Sequence, residues 1–371
     1  VSFYSNNRLD IEEALRTFQY VLRFFLIAGL FWGGGATLRY VGYADLVVAL
    51  YLFVSRVYFW KRLSPELAIR ASSVDLDRLW PILRMSVWVL VNYLGVVLFL
   101  RTNIWVANKF ISEAAGGEYG ALLLIDRLIR SGTTIVTFVI SPMIMIYYSK
   151  GELARANKVA QLAEKLMMGL VAVICALICA YSPHLLSLWL GAEFVYLWPV
   201  VVALVSHLFL NSGCSSLFHL HNAYNKVKAP AIVTVVLGLI NAVMGIYLTS
   251  MHGMGLLGVA IVTSVLLTVK NVVFIPAFTS IVTNESVGYY LKPMMSGFGV
   301  FFCVASVSML SYVVGVESNL VFQAALGIFA AVVGLFVFFR VFLSSSEFNL
   351  LLEILPKRAR AVVLCFPLRK N

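Results

Sequence analysis

Charged residues are scarce in this sequence, and that scarcity decides the class of protein. Only 12% of the 371 residues are Asp, Glu, Lys or Arg, whereas 61% are hydrophobic and the mean hydropathy is +0.93. Soluble domains carry about 25% charged residues, so a soluble protein is excluded. The apolar runs are about 20 residues long, as membrane-spanning helices require, and the alternating segments of a transmembrane β-barrel are missing. The sequence therefore predicts an all-α, polytopic transmembrane helical bundle.

Catalytic and metal-binding motifs are also missing. The chain has five cysteines, of which Cys175 and Cys179 lie one helical turn apart, a poor geometry for a disulfide. No cysteine or histidine spacing matches a zinc or redox motif. The sequence also contains no Ser-His-Asp order, no HExxH motif and no glycine-rich phosphate loop. We therefore predict that the protein is not an enzyme and that it uses no cofactor or metal.

Ten apolar segments follow one another along the chain, separated by short connections that contain Gly, Pro or charged residues. The residues before the first segment are polar and lack the apolar core of a cleavable signal peptide. Because the chain opens on Val1 and its first helix begins abruptly, we expect that a segment is missing in front of it. The predicted membrane-spanning helices are 15–34, 42–60, 82–111, 118–147, 158–182, 195–219, 230–250, 256–278, 290–314 and 319–343.

Basic residues occupy every second connection. They lie in 56–84, in 148–165, in 220–229 and in the C-terminal tail, while Lys270 and Lys292 flank the connection after the eighth segment. The positive-inside rule places these connections and both termini in the cytoplasm. This distribution explains the net charge of +11 without a nucleic-acid partner. The tail itself mixes apolar and basic side chains, so it either lies along the anionic inner leaflet or is a frayed basic terminus.

Charged residues also occur inside a predicted span, between Glu118 and Pro142. Asp126, Arg127 and Arg130 lie about 12–18 Å along this helix at 1.5 Å per residue. Charge at that depth costs about 2.5–3.5 kcal/mol per residue and usually faces a bundle interior or a wet cavity. An Asp126–Arg130 pair one turn apart would partly neutralise itself, but it leaves Arg127 over. One face of the helix carries the polar residues Tyr119, Asp126, Arg130, Thr133, Thr137 and Ser141.

Neighbouring segments add polar residues at membrane depth. Asn92 and Arg101 belong to the third segment, and His207 and Asn211 share one face of the sixth, where His207 is typical of a hydrogen-bonded core residue. The third and fourth segments are joined by a short outer connection, so they are expected to be antiparallel neighbours. The candidate substrate-binding residues are Asn92, Arg101, Asp126, Arg127, Arg130, His207 and Asn211.

The three arginines of this set allow two interpretations. If Arg101, Arg127 and Arg130 share one cavity with Asp126, the excess of positive charge indicates an anionic ligand, and guanidinium suits phosphate by bidentate pairing. In the alternative, Arg130 pairs with Asp126, Arg127 bonds to backbone carbonyls and Arg101 reaches the outer interface.

Several stretches between Arg8 and about Pro276 occur in a characteristic order. In order and spacing they resemble the O-antigen type of polysaccharide flippase in the multidrug/oligosaccharidyl-lipid/polysaccharide (MOP) exporter superfamily. From residue 290 onward only the hydropathy agrees with this family. The stretches are NNRLDIEEALR, LSPEL, EYGALLLIDRLIR, SPHLLSLWLGAEF, NAYNKVKAP, GLIN and MGLLGVAIVTSVLLTVKNVVF.

The resemblance implies two six-helix lobes around a central cavity, with an incomplete N-terminal lobe in this chain. Residues 1–62 would be the remainder of the first lobe, 63–80 a cytoplasmic linker and 81–280 the second lobe. Residues 281–345 would add two spans, and 346–371 a basic cytoplasmic tail. The implied activity is the movement of a polyprenyl-pyrophosphate-linked oligosaccharide from the inner to the outer leaflet of the bacterial inner membrane, for surface polysaccharide or O-antigen synthesis. The implied partners are this lipid-linked substrate, membrane lipids and polysaccharide assembly proteins.

Three other functions stay open. A drug or cation exporter of the related multidrug-and-toxin-extrusion (MATE) type would have an acidic cavity, yet Asp126 stands beside two arginines. A membrane-embedded glycan polymerase or ligase usually needs a large outer catalytic loop, and the outer connections here are short. A nonfunctional truncated remnant is the third, because alternating access needs two lobes.

Overall fold

The computed structural model describes residues 3, 8–35, 37–66, 76–313 and 320–354, which form helices joined by short turns, with no strand among them. The α-helices are α1 Leu9–Gly34, α2 Leu38–Leu63, α3 Leu76–Leu100, α4 Thr102–Phe110, α5 Glu113–Ser149, α6 Leu153–Ala180, α7 Ser182–Trp189, α8 Trp198–Val205, α9 Leu208–Ala223, α10 Lys228–His252, α11 Gly255–Val269, α12 Ile275–Thr283, α13 Val287–Val313, α14 Leu320–Val337 and α15 Ser345–Ile354. A 3₁₀-helix covers Ala192–Leu197, and two π-helices cover Lys270–Phe274 and Phe338–Phe342.

Within the described ranges, nine stretches of helix are long and apolar enough to cross a membrane, and they coincide with nine of the ten predicted segments. The tenth, 118–147, lies within α5, whose 37 residues extend about 55 Å at 1.5 Å per residue. That length exceeds the hydrocarbon core of a bilayer, which is about 30 Å thick. The prediction of an all-α polytopic bundle is confirmed, and the chain is an integral membrane protein.

Three of the spans are interrupted near their middle. α3 and α4 are separated by Arg101, and α8 and α9 by Ser206 and His207. In the last of the three, the span Gly255–Thr283, the π-helix Lys270–Phe274 lies just before Pro276. Proline has no N–H to donate, and its ring crowds the carbonyl four residues earlier. The hydrogen bonds therefore shift to the wider π-helical pattern, in which the N–H of Ile275 bonds to the oxygen of Lys270. Interrupted spans leave backbone and side chains free to line a cavity.

The chain divides into two compact units, Val1–Trp80 and Pro81–Asn371. In the first unit α1 packs against α2, and two ion pairs of 2.6 Å join them, Arg23 with Asp45 and Arg56 with Glu12. In the second unit α6 is the central helix and packs against α5, α9, α13 and α14. The two predicted additional spans, α13 and α14, therefore pack on α6 within the second unit, while the lobe boundaries stay a prediction.

The short helix α15 packs on α6 at the side of the basic connections. Phe348 and Leu351 of α15 are buried, and Lys165 Nζ of α6 lies 2.8 Å from Glu347 Oε1. Burial raises the pKa of Glu347, but its bonds to Lys165 and Ser344 outweigh that effect and hold the pKa below its usual value. The beginning of the predicted tail is thus a docked helix, and the basic residues from 355 onward lie outside the described part of the chain.

Helices α3 and α10 touch through their backbones, which leads to a stability prediction. A Cβ on Gly95 would lie 2.9 Å from both the Thr234 carbonyl carbon and the Val235 nitrogen. Because backbone atoms cannot yield as a side chain does, Gly95→Ala should destabilise the protein by about 1–3 kcal/mol. Gly120→Ala is the matched control, since no atom lies within 4 Å of the new methyl group. Thermal unfolding of the purified variants checks this, and equal stability of the two would contradict the close α3–α10 contact.

Candidate functional site

The second unit contains a polar cavity of about 160 Å³. Helices α3, α5, α9, α10 and α11 and the π-helix 270–274 form its wall, so all three interrupted spans contribute. Its apolar lining comes from Val96, Phe99, Leu100, Phe218 and Leu267, and its polar lining from Asn92, Arg130, Asn211, Ser215, Thr234, Lys270 and Asn271.

The local sequence of α5 brings Arg130 to this cavity. Ser112 caps the start of α5 by accepting a hydrogen bond from the Ala115 N–H at 3.0 Å, and Glu113 in the first turn complements the helix dipole. Four residues separate Asp126 from Arg130, so both lie on the same side of the helix, and Arg130 Nε donates to the two Asp126 carboxylate oxygens at 2.8 and 3.0 Å. The predicted pair therefore forms, with Asp126 buried and Arg130 partly open to the cavity.

Lys270 supplies a second positive charge. Its side chain is 6% exposed, and its Nζ lies 5.3 Å from the ring centre of Phe218, a cation–π contact. Within the described ranges no carboxylate lies at salt-bridge distance from Lys270. The Arg130 guanidinium is within electrostatic range of the Lys270 ammonium, so the two like charges repel each other across the cavity. An anion bound between them would relieve that repulsion.

Amide side chains complete the polar wall. Asn271 Nδ2 donates to Asn211 Oδ1, which fixes the two amides side by side. Asn211 Nδ2 and Asn92 Oδ1 are buried and have no hydrogen-bond partner among the residues the structure describes. Buried polar atoms are normally paired, so these two are available to a ligand or to water.

A second polar cluster, which joins α4, α5, α10 and α11, is closed on itself. Asn103 Nδ2 donates to Thr263 Oγ1 at 2.7 Å and to Tyr119 Oη at 3.1 Å. Asn241 Nδ2 donates to Asn103 Oδ1 at 2.8 Å, and Thr263 Oγ1 donates to Asn241 Oδ1 at 2.7 Å. Because every member has a partner, this cluster ties the helices together and leaves the ligand-binding capacity to the cavity.

The structure brings together only some of the predicted site residues. Asn92, Arg130 and Asn211 line the cavity, and Asp126 supports Arg130.

The remaining three predicted site residues do not reach this cavity. Arg101 and Arg127 are exposed, so neither joins Arg130 there, and a role for them stays a prediction. His207 is buried within electrostatic range of Arg130, but it does not line the cavity. Its ring lies near the backbone of Ala203, one helical turn earlier, and the expected hydrogen-bonded core position stays a prediction.

Sequence reasoning missed Lys270 and Asn271. The sequence pattern treats Lys270 only as a residue that flanks the cytoplasmic connection after the eighth segment, whereas the span continues to Thr283 and buries Lys270. Two signals in the sequence pointed the other way: apolar residues on both sides of Lys270, and Pro276, which marks an irregular helix.

The cavity has the chemistry of a small anion site. It combines two cations, one of them paired with Asp126, with amide and hydroxyl groups among apolar side chains. Cavities for drug-sized ligands have about 300–1,000 Å³, so a volume near 160 Å³ admits a group the size of a phosphate rather than a whole oligosaccharide.

Comparison with known proteins gives one curated relative. The chain is 29% identical over 290 residues to a Bacillus subtilis (strain 168) protein named "Uncharacterized membrane protein EpsK". The alignment covers 78% of this chain and 57% of that protein, so the chain spans little more than half of its relative's length. No family model matches the chain, and no solved structure matches it. The apolar helices and the membrane-protein relative both support an integral membrane protein, and the chain is similar to EpsK.

Proposed function

We propose that this chain is part of a transporter that moves a polyprenyl-pyrophosphate-linked oligosaccharide from the inner to the outer leaflet of a bacterial cytoplasmic membrane, for surface polysaccharide synthesis. The observation that carries the proposal is the convergence of Arg130 and Lys270 on one polar cavity at membrane depth. Guanidinium and ammonium groups with amide donors recognise phosphate oxygens by charge-assisted hydrogen bonds.

The size of the cavity supports a separate place for each portion of the proposed substrate. One or two phosphate groups fit a volume near 160 Å³, so the pyrophosphate is the group bound there. The saccharide needs a larger space, and the polyprenyl chain stays in the bilayer. With this division the protein binds the part that all polyprenyl-pyrophosphate-linked saccharides share.

The distribution of loop charge supports a membrane topology with both termini on the cytoplasmic side. Lys270 and Lys165 lie within helices rather than in connections, but Lys150, Lys226 and Lys228 still lie at the connections predicted to be cytoplasmic. The positive-inside rule then places both termini in the cytoplasm.

The charge of the cavity argues against the runner-up, a drug or cation exporter of the MATE type. Cation binding in a low-dielectric site needs carboxylates. No acid lines this cavity in the described structure, Asp126 is already paired with Arg130, and Lys270 adds uncompensated positive charge.

Deletion of the gene that encodes this chain tests the proposed function. We expect loss of surface polysaccharide and accumulation of the lipid-linked saccharide in the membrane, both restored by the wild-type gene. Mass spectrometry of extracted lipids and staining of the cell surface measure the two effects. Unchanged polysaccharide together with increased drug sensitivity would contradict the proposal and favour the exporter.

A further inference from the structure

Glu164 on α6 is an ionisable side chain that the anion site does not use. Its side chain has 0% exposure, and both carboxylate oxygens lack a hydrogen-bond partner among the described residues. The next residue, Lys165, is instead paired with Glu347 on α15. An ionisable residue inside a transmembrane bundle costs free energy, so a buried acid without a partner is a candidate for a functional role.

Glu164 lies at a close contact between α6 and α9. A Cβ on Gly213 of α9 would lie 3.0 Å from the backbone oxygen of Glu164 and 2.2 Å from Met168 Cγ. Ser216 Oγ donates to the Ala160 oxygen at 3.3 Å, so a hydrogen bond also crosses this contact. The carboxyl group of Glu164 is closed off from solvent in this packed arrangement.

Helix α9 stands between Glu164 and the anion cavity. Asn211 and Ser215 face the cavity, whereas Gly213 and Ser216 face α6. Cys214 lies within electrostatic range of Glu164, and its Sγ donates to the Asn271 carbonyl oxygen at 3.2 Å. A movement of α9 would therefore change both sites.

The other titratable groups around α6 leave Glu164 without compensation. Cys214 comes from α9 and also lies within electrostatic range of Lys270 in the π-helix, Tyr290 comes from α13, and Glu347, paired with Lys165, comes from α15. Helix α5 presents Asp126 and Arg130 near Cys175, three turns further along α6. None of them bonds to the Glu164 carboxyl group in the described structure.

We infer that Glu164 is a proton-binding site, which holds a proton while α6 and α9 are packed together and releases it to water when they separate. In the packed state a carboxylate would lose its hydration without gaining a partner, so the neutral acid is favoured. A hydrated glutamic acid has lost its proton at neutral pH. The packed state thus binds one proton more, and raising the pH favours separation. Proton binding by Glu164 does not depend on the proposed function. A use of this proton to drive transport does rest on the proposed function.

Infrared spectroscopy of the purified protein tests the protonation. At neutral pH in lipid, the wild type should show the carbonyl band of a protonated carboxylic acid. Glu164→Gln should abolish the band, and the exposed control Glu193→Gln should keep it. A wild type without the band, or a Glu164→Gln variant that retains it, would overturn the inference.

Backbone hydrogen exchange of α9 tests the link to helix separation. After correction for the intrinsic pH dependence, exchange of α9 in the wild type should rise by about tenfold per pH unit, because one proton is released on separation. The same rise must be missing in Glu164→Gln. If that variant does not fold, a pH titration of the wild type decides, since the infrared band must disappear as exchange rises. Loss of the band with no change in exchange would refute the link between deprotonation of Glu164 and separation of the two helices. Gene deletion without effect on polysaccharide would refute only the proposed function.

Discussion

Lys270→Gln is expected to lower transport by about 10–100-fold, because a charge-assisted hydrogen bond to a phosphate group contributes about 1.5–3 kcal/mol. Lys270 has no carboxylate partner in the described part of the protein, so its replacement leaves no acid unpaired. The protein should therefore fold and reach the membrane in normal amount. Surface polysaccharide, measured together with protein level, separates loss of activity from loss of protein.

The control for Lys270→Gln is Lys150→Gln, which removes the same charge from an exposed position after α5. We expect this variant to transport normally. Normal transport by Lys270→Gln would show that Lys270 does not bind the substrate. Equal losses of transport in both variants would show an effect of overall charge rather than of the cavity.

The Asp126–Arg130 pair should show opposite effects of single and double replacement. Arg130→Gln leaves the Asp126 carboxylate, 5% exposed, without its partner. We expect a loss of about 2–4 kcal/mol, somewhat below the 3–5 kcal/mol of fully buried pairs because the Arg130 side chain is 35% exposed. Combining Asp126→Asn with Arg130→Gln removes both charges and should restore most of the stability while transport stays low.

Thermal unfolding and surface polysaccharide, measured in parallel, distinguish the two roles of Arg130. A stable double variant without transport assigns Arg130 to the site, whereas a stable double variant with normal transport would make the pair purely structural. Arg127→Gln is the neighbouring control, since this arginine is exposed and its removal should leave stability unchanged.

The spans and the Asp126–Arg130 pair could be predicted because both follow from local spacing. Hydropathy over about 20 residues reports the bilayer itself, and a separation of four residues places two side chains on the same side of any α-helix. The structure confirms nine predicted spans as candidate membrane helices, and Arg130 bonds to Asp126 at 2.8 Å.

The cavity as a whole could not be predicted, because its members come from helices that are far apart in sequence. Arg101 and Arg127 are the same residue type as Arg130, and only the packing of α3, α5 and α9 decides which arginine is enclosed. For Lys270, spacing alone does not distinguish a lysine that reaches the headgroups from one held inside by the π-helix. The burial of Glu164 likewise depends on the glycine at 213, which lets α9 approach α6.

The central claim is that the Arg130–Lys270 cavity binds the pyrophosphate group of a lipid carrier. Binding of a polyprenyl pyrophosphate to the purified full-length protein, compared with the polyprenyl alcohol of equal chain length, tests it most directly. We predict that the wild type binds the pyrophosphate at least about tenfold more tightly, and that Lys270→Gln reduces this preference by a similar factor. Equal binding of the two lipids by the wild type, or a preference that Lys270→Gln leaves unchanged, would contradict the account.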